Sequence, residues 1–321
     1  MRATCLTALA AIVCLLPPQT FRSSAEGVRV DVLVLDGKNP VGGLTAADFE
    51  LRDGGIVQTI DSISMEDVPL SLMLALDTSR SVEGAALGHL KDAATAVIRL
   101  LGPADRAALM TFSGAITLRT PWTSDRATLD AGVATAEASG STSLYDAAYA
   151  ALTLRDHQPG RQLVLIFSDG DDTASWLPGR NVIEIAKRNE PVVYAVELAP
   201  QPIVVSTSGP FGQRTETVTR PAPGYRLDFH SGIQDRVENA PNPILLRRFL
   251  NELADETGGK VVNAESSERL KETFLQVINE FRSRYLLIYT PRGVDSRGWH
   301  PIEVKLKNRR GQVTARRGYL R

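Results

Sequence analysis

The stretch Leu72-Met-Leu-Ala-Leu-Asp77-Thr-Ser79-Arg-Ser81 decides the fold, because an unbroken apolar run ends there in alternating polar side chains. An apolar run of this length, bounded by polar residues, is typical of a strand buried on both faces of a sheet. In open α/β sheets, ligands bind at the carboxyl ends of such strands. The sequence therefore predicts a central strand whose end carries a functional site.

The polar end of this stretch has the chemistry of a cation site. Asp77, Ser79 and Ser81 occupy alternate positions, so their side chains point the same way in an extended loop. All three carry hard oxygen atoms, which suit Mg²⁺, Mn²⁺ or Ca²⁺ rather than zinc or copper. Taken alone, the pattern also fits a turn or a helix N-cap, because D-x-S-x-S is short enough to arise by chance.

Two downstream segments add oxygen-bearing residues at positions where such a site would need them. Thr142 lies in a small-residue loop, 140–143, that opens a predicted helix. Asp169 closely follows a second apolar strand, Leu163-Val-Leu-Ile-Phe167. The acidic residues after Asp169 are interpreted as solvent-facing or as indirect contributors to the site.

These segments together resemble a von Willebrand factor A-type domain with a metal-ion-dependent adhesion site (MIDAS), in a bacterial secreted group of such proteins. The resemblance spans about 69–280 and includes the segment 103–113. It implies an α/β fold, a doubly wound, mostly parallel sheet with helices on both faces, as in Rossmann-like domains. It also implies that one cation, Mg²⁺ with Mn²⁺ or Ca²⁺ as alternatives, is held by Asp77, Ser79, Ser81, Thr142 and Asp169.

The same resemblance implies binding rather than catalysis. We expect an exported, divalent-metal-dependent module for adhesion or complex assembly, which captures an Asp or Glu carboxylate of a partner protein. One alternative is a structural envelope module whose metal site is unused. Another is a metal-dependent phosphatase-like enzyme with Asp77 as nucleophile, but Ser79 then stands where such enzymes carry a general acid. The chain has neither a G-x-S-x-G elbow nor a G-x-x-x-x-G-K-[ST] loop, and we expect no enzymatic activity.

Composition is that of an ordinary soluble globular protein, with 43% hydrophobic and 23% charged residues. A net charge of −1 provides no bulk attraction to nucleic acid, so no nucleic-acid partner is expected. The His residues show no metal-ligand spacing.

Residues 1–25 predict a secretory signal peptide, since a basic start precedes a short apolar stretch and a small-residue segment ending at Ala25. The apolar stretch is too short for a permanent transmembrane anchor. It contains both cysteines; a lipoprotein would use Cys14, but Val13 stands where a small residue is preferred. Export without disulfides fits a periplasmic or extracellular protein of a bacterial envelope.

The rest of the chain divides around the A-type domain, 67–283, in which predicted strands and helices alternate. Apolar spacing predicts, among others, helices over 126–138 and 267–283. The segment 26–66 alternates as an antiparallel β unit does, and we expect it to pair with 284–321 in a small β-sandwich. An insertion at about 200–243, rich in Pro, Gly, Ser, Thr and Arg, is either a flexible surface segment or a binding loop.

Overall fold

The computed structural model describes residues 27–65, 68–169, 172–198, 203–209, 212–218 and 243–321. The strands in these ranges are β1 Val28–Asp36, β2 Asn39–Pro40, β3 Phe49–Asp53, β4 Ile56–Gln58, β5 Ser62–Ser64, β6 Leu70–Asp77, β7 Arg106–Phe112, β8 Ile116–Thr123, β9 Arg161–Ser168, β10 Val192–Leu198, β11 Ile203–Gly209, β12 Gly212–Val218, β13 Lys260–Ala264, β14 Tyr285–Tyr289, β15 Trp299–Leu306, β16 Gln312–Thr314 and β17 Gly318–Leu320. The α-helices are α1 Ala85–Leu100, α2 Arg126–Ala134, α3 Leu144–Thr153, α4 Gly179–Ala186, α5 Pro243–Thr257 and α6 Leu270–Arg282. The predicted signal peptide and much of the predicted insertion lie outside the described residues.

A six-stranded sheet with the order β13-β10-β9-β6-β7-β8 forms the centre of the molecule. Neighbouring strands in it pair parallel, except that β8 pairs antiparallel with β7 at one edge. Every residue of β6 is buried. A strand between two neighbours and two helical layers has no wet face, which explains its continuous apolar sequence.

Helices cover both faces of this sheet. Alternate residues of β6 point to opposite sides, so Leu72 and Leu74 join one core cluster while Met73 and Ala75 join another. The first cluster includes buried residues of α1, α2 and α6, and the second includes those of α3, α4 and α5. The sheet is therefore sandwiched between two helical layers.

The strand order reverses at β6. From β6 the chain moves to β7 on one side, while β9 lies on the other side and leads to β10 and β13. Such a reversal opens a crevice at the carboxyl ends of the strands, where open α/β sheets bind ligands. Asp77 ends β6 and Asp169 follows β9, so both lie at this crevice.

Strands from the two ends of the chain pair with each other. β1 pairs antiparallel with β14, and β3 pairs antiparallel with β15. These pairs belong to two sheets, one with the order β16-β1-β14-β5 and one with the order β17-β15-β3-β4. Apolar residues of both sheets form one cluster, which includes Val30, Phe49, Leu51, Leu287 and Ile302.

Buried arginines fasten these terminal strands to the central sheet. Arg161, at the start of β9, forms an ion pair with Asp31 of β1, with Nε and Oδ1 2.7 Å apart. Arg284 is fully buried and donates to the carbonyl of Gly258 at 2.6 Å and to the hydroxyl of Tyr194 at 2.9 Å. Because a buried guanidinium is costly unless its donors are paired, these contacts hold the two parts in one arrangement.

Three local features differ from the predicted elements. The helix predicted over 126–138 ends at Ala134. The helix predicted over 267–283 begins with a 3₁₀ turn, Ser267–Arg269, before α6. Within the predicted insertion, β11 and β12 pair antiparallel as a hairpin. No helix within the described ranges has both the length and the apolar character needed to cross a bilayer.

Candidate metal site

Asp77 forms the floor of the crevice and is 0% exposed. Its Oδ1 accepts a hydrogen bond from the backbone N–H of Ser79 at 2.9 Å, and its Oδ2 accepts one from the hydroxyl of Ser168 at 2.7 Å. The first bond is an Asx-type turn that folds the following loop back over the strand end. The second ties the carboxylate to the end of β9.

Ser79, Ser81 and Asp169 continue from this floor toward solvent. The hydroxyl oxygens of Ser79 and Ser81 are 2.9 Å apart, and the Ser81 hydroxyl donates to Asp169 Oδ1 at 2.6 Å. Ser79 is buried whereas Ser81 is exposed. The loop after β6 and the end of β9 therefore present a connected set of oxygen atoms that opens at Ser81.

Thr142 lies in the adjacent loop, which contacts the Asp77–Ser81 loop through the backbone. The N–H of Arg80 donates to the carbonyl of Gly140 at 3.1 Å, and the N–H of Ser139 donates to the carbonyl of Thr78 at 2.8 Å. Thr142 is 5% exposed. Among the described residues, its hydroxyl makes no hydrogen bond to the four other predicted ligands, so the structure brings Thr142 to the same edge but not into their hydrogen-bonded chain.

The electrostatics of the crevice favour a cation. Burial raises the pKa of Asp77 to about 6, the hydrogen bonds from Ser79 and Ser168 oppose this rise, and the negative charge of Asp169 adds to it. A carboxylate that is both desolvated and beside a second carboxylate is costly to ionise on its own. A bound cation would remove this cost, because it would be the largest local charge in the site.

The donor chemistry of these residues fits a hard divalent cation. Two carboxylates and three hydroxyls supply only oxygen, which is the ligand type of Mg²⁺ and Ca²⁺. The part of the chain that the structure describes has no group of three or more His, Cys, Asp or Glu placed to hold a metal. A cation in this crevice would therefore depend on the Ser and Thr hydroxyls.

Further residues brace the crevice: Asp146, which the sequence analysis did not single out, and Asp172, one of the acidic residues interpreted there as solvent-facing or as indirect contributors to the site. The carboxylate of Asp146, in the first turn of α3, accepts the N–H groups of Trp176 and Leu177, each at 2.9 Å. Asp172 accepts the N–H of Tyr145 at 3.2 Å. The spacing Ser143-x-x-Asp146 resembles a capping box, which is a sequence signal for the start of a helix. In the structure, however, the Ser143 side chain makes no capping hydrogen bond. The Asp146 carboxylate instead holds the loop after β9.

Comparison with known proteins agrees with this architecture. Residues 72–171 match the family model of the von Willebrand factor type A domain, a range that begins in β6 and includes all five predicted ligands. The central domain thus has a von Willebrand factor A-like fold. No curated protein sequence matches the chain.

Three solved structures illustrate the likeness. A von Willebrand factor type A protein from Catenulispora acidiphila has a TM-score of 0.50 at 11% identity, over 92% of this chain and 73% of that one. The conserved hypothetical protein BatB from Bacteroides thetaiotaomicron has a TM-score of 0.46 at 15% identity, over 66% of this chain and 98% of that one. Proximal thread matrix protein 1 from the mussel byssus, solved with zinc in its MIDAS motif, has a TM-score of 0.49 at 12% identity, over 70% of this chain and 48% of that one. At 11% identity, the likeness to the Catenulispora protein is informative about the fold alone.

Proposed function

We propose that this protein is an exported, divalent-metal-dependent protein-binding module for adhesion or complex assembly. Its site would consist of Asp77, Ser79, Ser81, Thr142 and Asp169 and would capture an Asp or Glu carboxylate of a partner protein. The observation that carries the proposal is a hydrogen-bonded chain of residues at the crevice. The backbone N–H of Ser79 binds the buried carboxylate of Asp77, and the hydroxyls of Ser79 and Ser81 continue the chain to Asp169. It lies at the point of the sheet where ligands bind in open α/β folds.

Each residue has a separate role in this proposal. The hydroxyls of Ser79, Ser81 and Thr142 would bind the cation directly, while the carboxylates of Asp77 and Asp169 would act directly or through water. When bound, Mg²⁺ would supply positive charge and a coordination position for the carboxylate of the partner. Because Ser81 is exposed while Asp77, Ser79 and Thr142 are buried, the partner would approach from the Ser81 side.

Two further proposals concern the whole chain. The segment 1–25 would direct export to the periplasm or the exterior and be removed near Ala25, which N-terminal sequencing of the mature protein would test. The terminal segments 26–66 and 284–321 would form one β-sandwich around the central domain. Support for the sandwich comes from the apolar cluster that strands of both segments share.

Crosslinking from the native envelope tests the function directly. The tagged wild type is crosslinked in Mg²⁺ and again in excess chelator, beside Asp77→Ala and the control Asp92→Ala, which removes an exposed carboxylate of α1. We expect a crosslinked partner with the wild type and the control in Mg²⁺, and none in chelator or with Asp77→Ala. Crosslinking that persists in chelator would contradict metal dependence. Metal binding without any partner would instead favour a structural module whose site is unused.

A further inference from the structure

One large aromatic side chain is displayed beside the candidate site. Trp176 is 95% exposed, whereas the other exposed large hydrophobic residues in the described ranges are 38% to 54% exposed. A single exposed apolar side chain is ordinary on a protein surface. Trp176 differs because of the loop that carries it.

Hydrogen bonds fix the backbone of this loop, 172–178, on two sides. The N–H groups of Thr173 and Ala174 donate to the carbonyl of Thr142 at 2.8 and 3.0 Å. Those of Trp176 and Leu177 donate to the carboxylate of Asp146. The backbone of Trp176 is therefore already ordered, and a partner that contacts its ring would not bear the entropy cost of ordering the loop.

The loop also places Trp176 close to the predicted ligands. The backbone N–H of Thr173 donates to the carbonyl of Thr142. Trp176 lies three residues further along the chain, so its Cα atom is at most about 11 Å from that of Thr173. An extended peptide advances about 3.3 Å per residue, so about three residues cover the same distance. A peptide held at the cation by one carboxylate would thus reach Trp176 with a neighbouring side chain.

The only charged side chain within the Asp77–Ser81 loop that faces solvent is that of Arg80. The positive charge of Arg80 disfavours a basic partner and favours an acidic one. The site would therefore combine a positive centre for a carboxylate with an aromatic surface at one side.

We propose that Trp176 sets the specificity of this site, and that the partner is a protein segment with an apolar side chain within about three positions of the captured Asp or Glu. This inference rests on the proposed function, since the carboxylate is the first anchor. Trp is enriched among the interface residues that dominate binding, and its rigid ring offers a large contact area.

A displayed library of random peptides tests the inference. Immobilised wild type and Trp176→Ala are each used for selection in Mg²⁺ and in excess chelator. With the wild type, we expect Mg²⁺-dependent enrichment of Asp or Glu together with an apolar residue within about three positions. With Trp176→Ala, the acidic residue should remain enriched and the apolar preference should be lost.

A single selected peptide is then titrated against purified variants. Trp176→Ala should weaken its binding by about tenfold or more, Trp176→Phe should restore most of it, and Leu154→Ala should have no effect. Leu154 is a suitable control because it is 39% exposed and follows α3 at the end remote from the site. Thermal unfolding of each variant would show that the fold is retained.

The outcomes separate this inference from the proposed function. An Mg²⁺-dependent preference for acidic residues without an apolar neighbour would overturn the role of Trp176 and leave the carboxylate site standing. No Mg²⁺-dependent preference at all would overturn both. Sedimentation with phosphatidylglycerol vesicles that depends on Trp176 would instead assign the ring to a lipid surface and overturn the peptide proposal.

Discussion

Among single residues, Ser81 is the most direct probe of the candidate site. It is exposed, it contacts both Ser79 and Asp169, and it is not part of either core cluster around the central sheet. Its hydroxyl can therefore be removed with little effect on folding. Ser81→Ala should weaken Mg²⁺ binding by roughly tenfold or more. Loss of a side chain that only hydrogen-bonds to a metal ligand already costs roughly tenfold in metal affinity, and Ser81 is proposed to be a ligand itself.

Isothermal titration of MgCl₂ into the wild type and into Ser81→Ala would measure this loss of Mg²⁺ affinity. Ser141→Ala is the matched control, because Ser141 is an exposed serine in the loop that carries Thr142 but is not a predicted ligand. Equal affinities of Ser81→Ala and wild type would exclude Ser81 from the ligand set.

The sequence alone was enough to select candidate ligands, but it did not show that Asp146 braces the crevice. D-x-S-x-S and the two apolar strands are local patterns, so Asp77, Ser79, Ser81 and Asp169 could be selected from the chain alone. The role of Asp146 depends on a loop about thirty residues away in sequence, whose N–H groups it accepts. Such a partner is fixed by tertiary packing and has no local signature.

At the scale of elements, Asp105 joins the start of β6 to the ends of α1 and α6. Burial alone would raise its pKa, but hydrogen bonds from Leu70, Arg282 and Gly102 outweigh burial and hold the pKa below its ordinary value. The stability that these bonds supply is therefore present above the unfolded pKa, about 4, and is lost as the pH falls through the lower folded value.

Asp105→Asn should consequently destabilise the protein at neutral pH by about 1–3 kcal/mol. The difference in free energy of unfolding between this variant and wild type should shrink as the pH falls from about 4 through the lower folded pKa, because the carboxyl group is protonated first in the unfolded chain and only then in the folded protein. Urea unfolding at neutral and acidic pH would measure both values. A difference that stayed constant with pH would contradict the assigned cause.

Element boundaries show where local pattern and tertiary contact compete. Apolar spacing predicts a helix to 138, but α2 ends at Ala134 and the chain then turns so that the N–H of Ser139 reaches the carbonyl of Thr78. The Thr135 hydroxyl also donates to the carbonyl of Gly132, which assists the ending. The contact with the site loop, which cannot be read from periodicity, decides the boundary.

The hairpin of β11 and β12 was missed for a different reason. Its strands lie in a stretch whose Pro, Gly, Ser and Thr content indicates a loop, although Ile203-Val-Val205 is β-branched and Gly209 pairs with Gly212 at one end of the two strands. Composition averaged over the whole insertion concealed a short strand signal.

For the whole molecule, the central question is how the terminal strands are held to the central domain. Arg161 is 3% exposed at its side chain and Asp31 is 12% exposed, so their ion pair is shielded from water. Asp31→Ala would leave the guanidinium buried without its carboxylate, and we expect a loss of about 3–5 kcal/mol in the free energy of unfolding.

Asp36→Ala is the control for this change, because it removes an exposed carboxylate at the end of the same strand. Urea unfolding of both variants would compare them. A loss for Asp31→Ala no larger than that for Asp36→Ala would show that the ion pair does not fasten the two parts.

The proposed function depends on one cation bound at the crevice between β6 and β9. Crystals grown in Mn²⁺ and measured at the manganese absorption edge test this most directly, since Mn²⁺ takes the same oxygen ligands as Mg²⁺ and scatters anomalously. We predict a single strong anomalous peak within bonding distance of the oxygens of Ser79, Ser81 and Thr142, and near the carboxylates of Asp77 and Asp169. An anomalous map with no peak among these side chains, from protein saturated with Mn²⁺, would contradict the account.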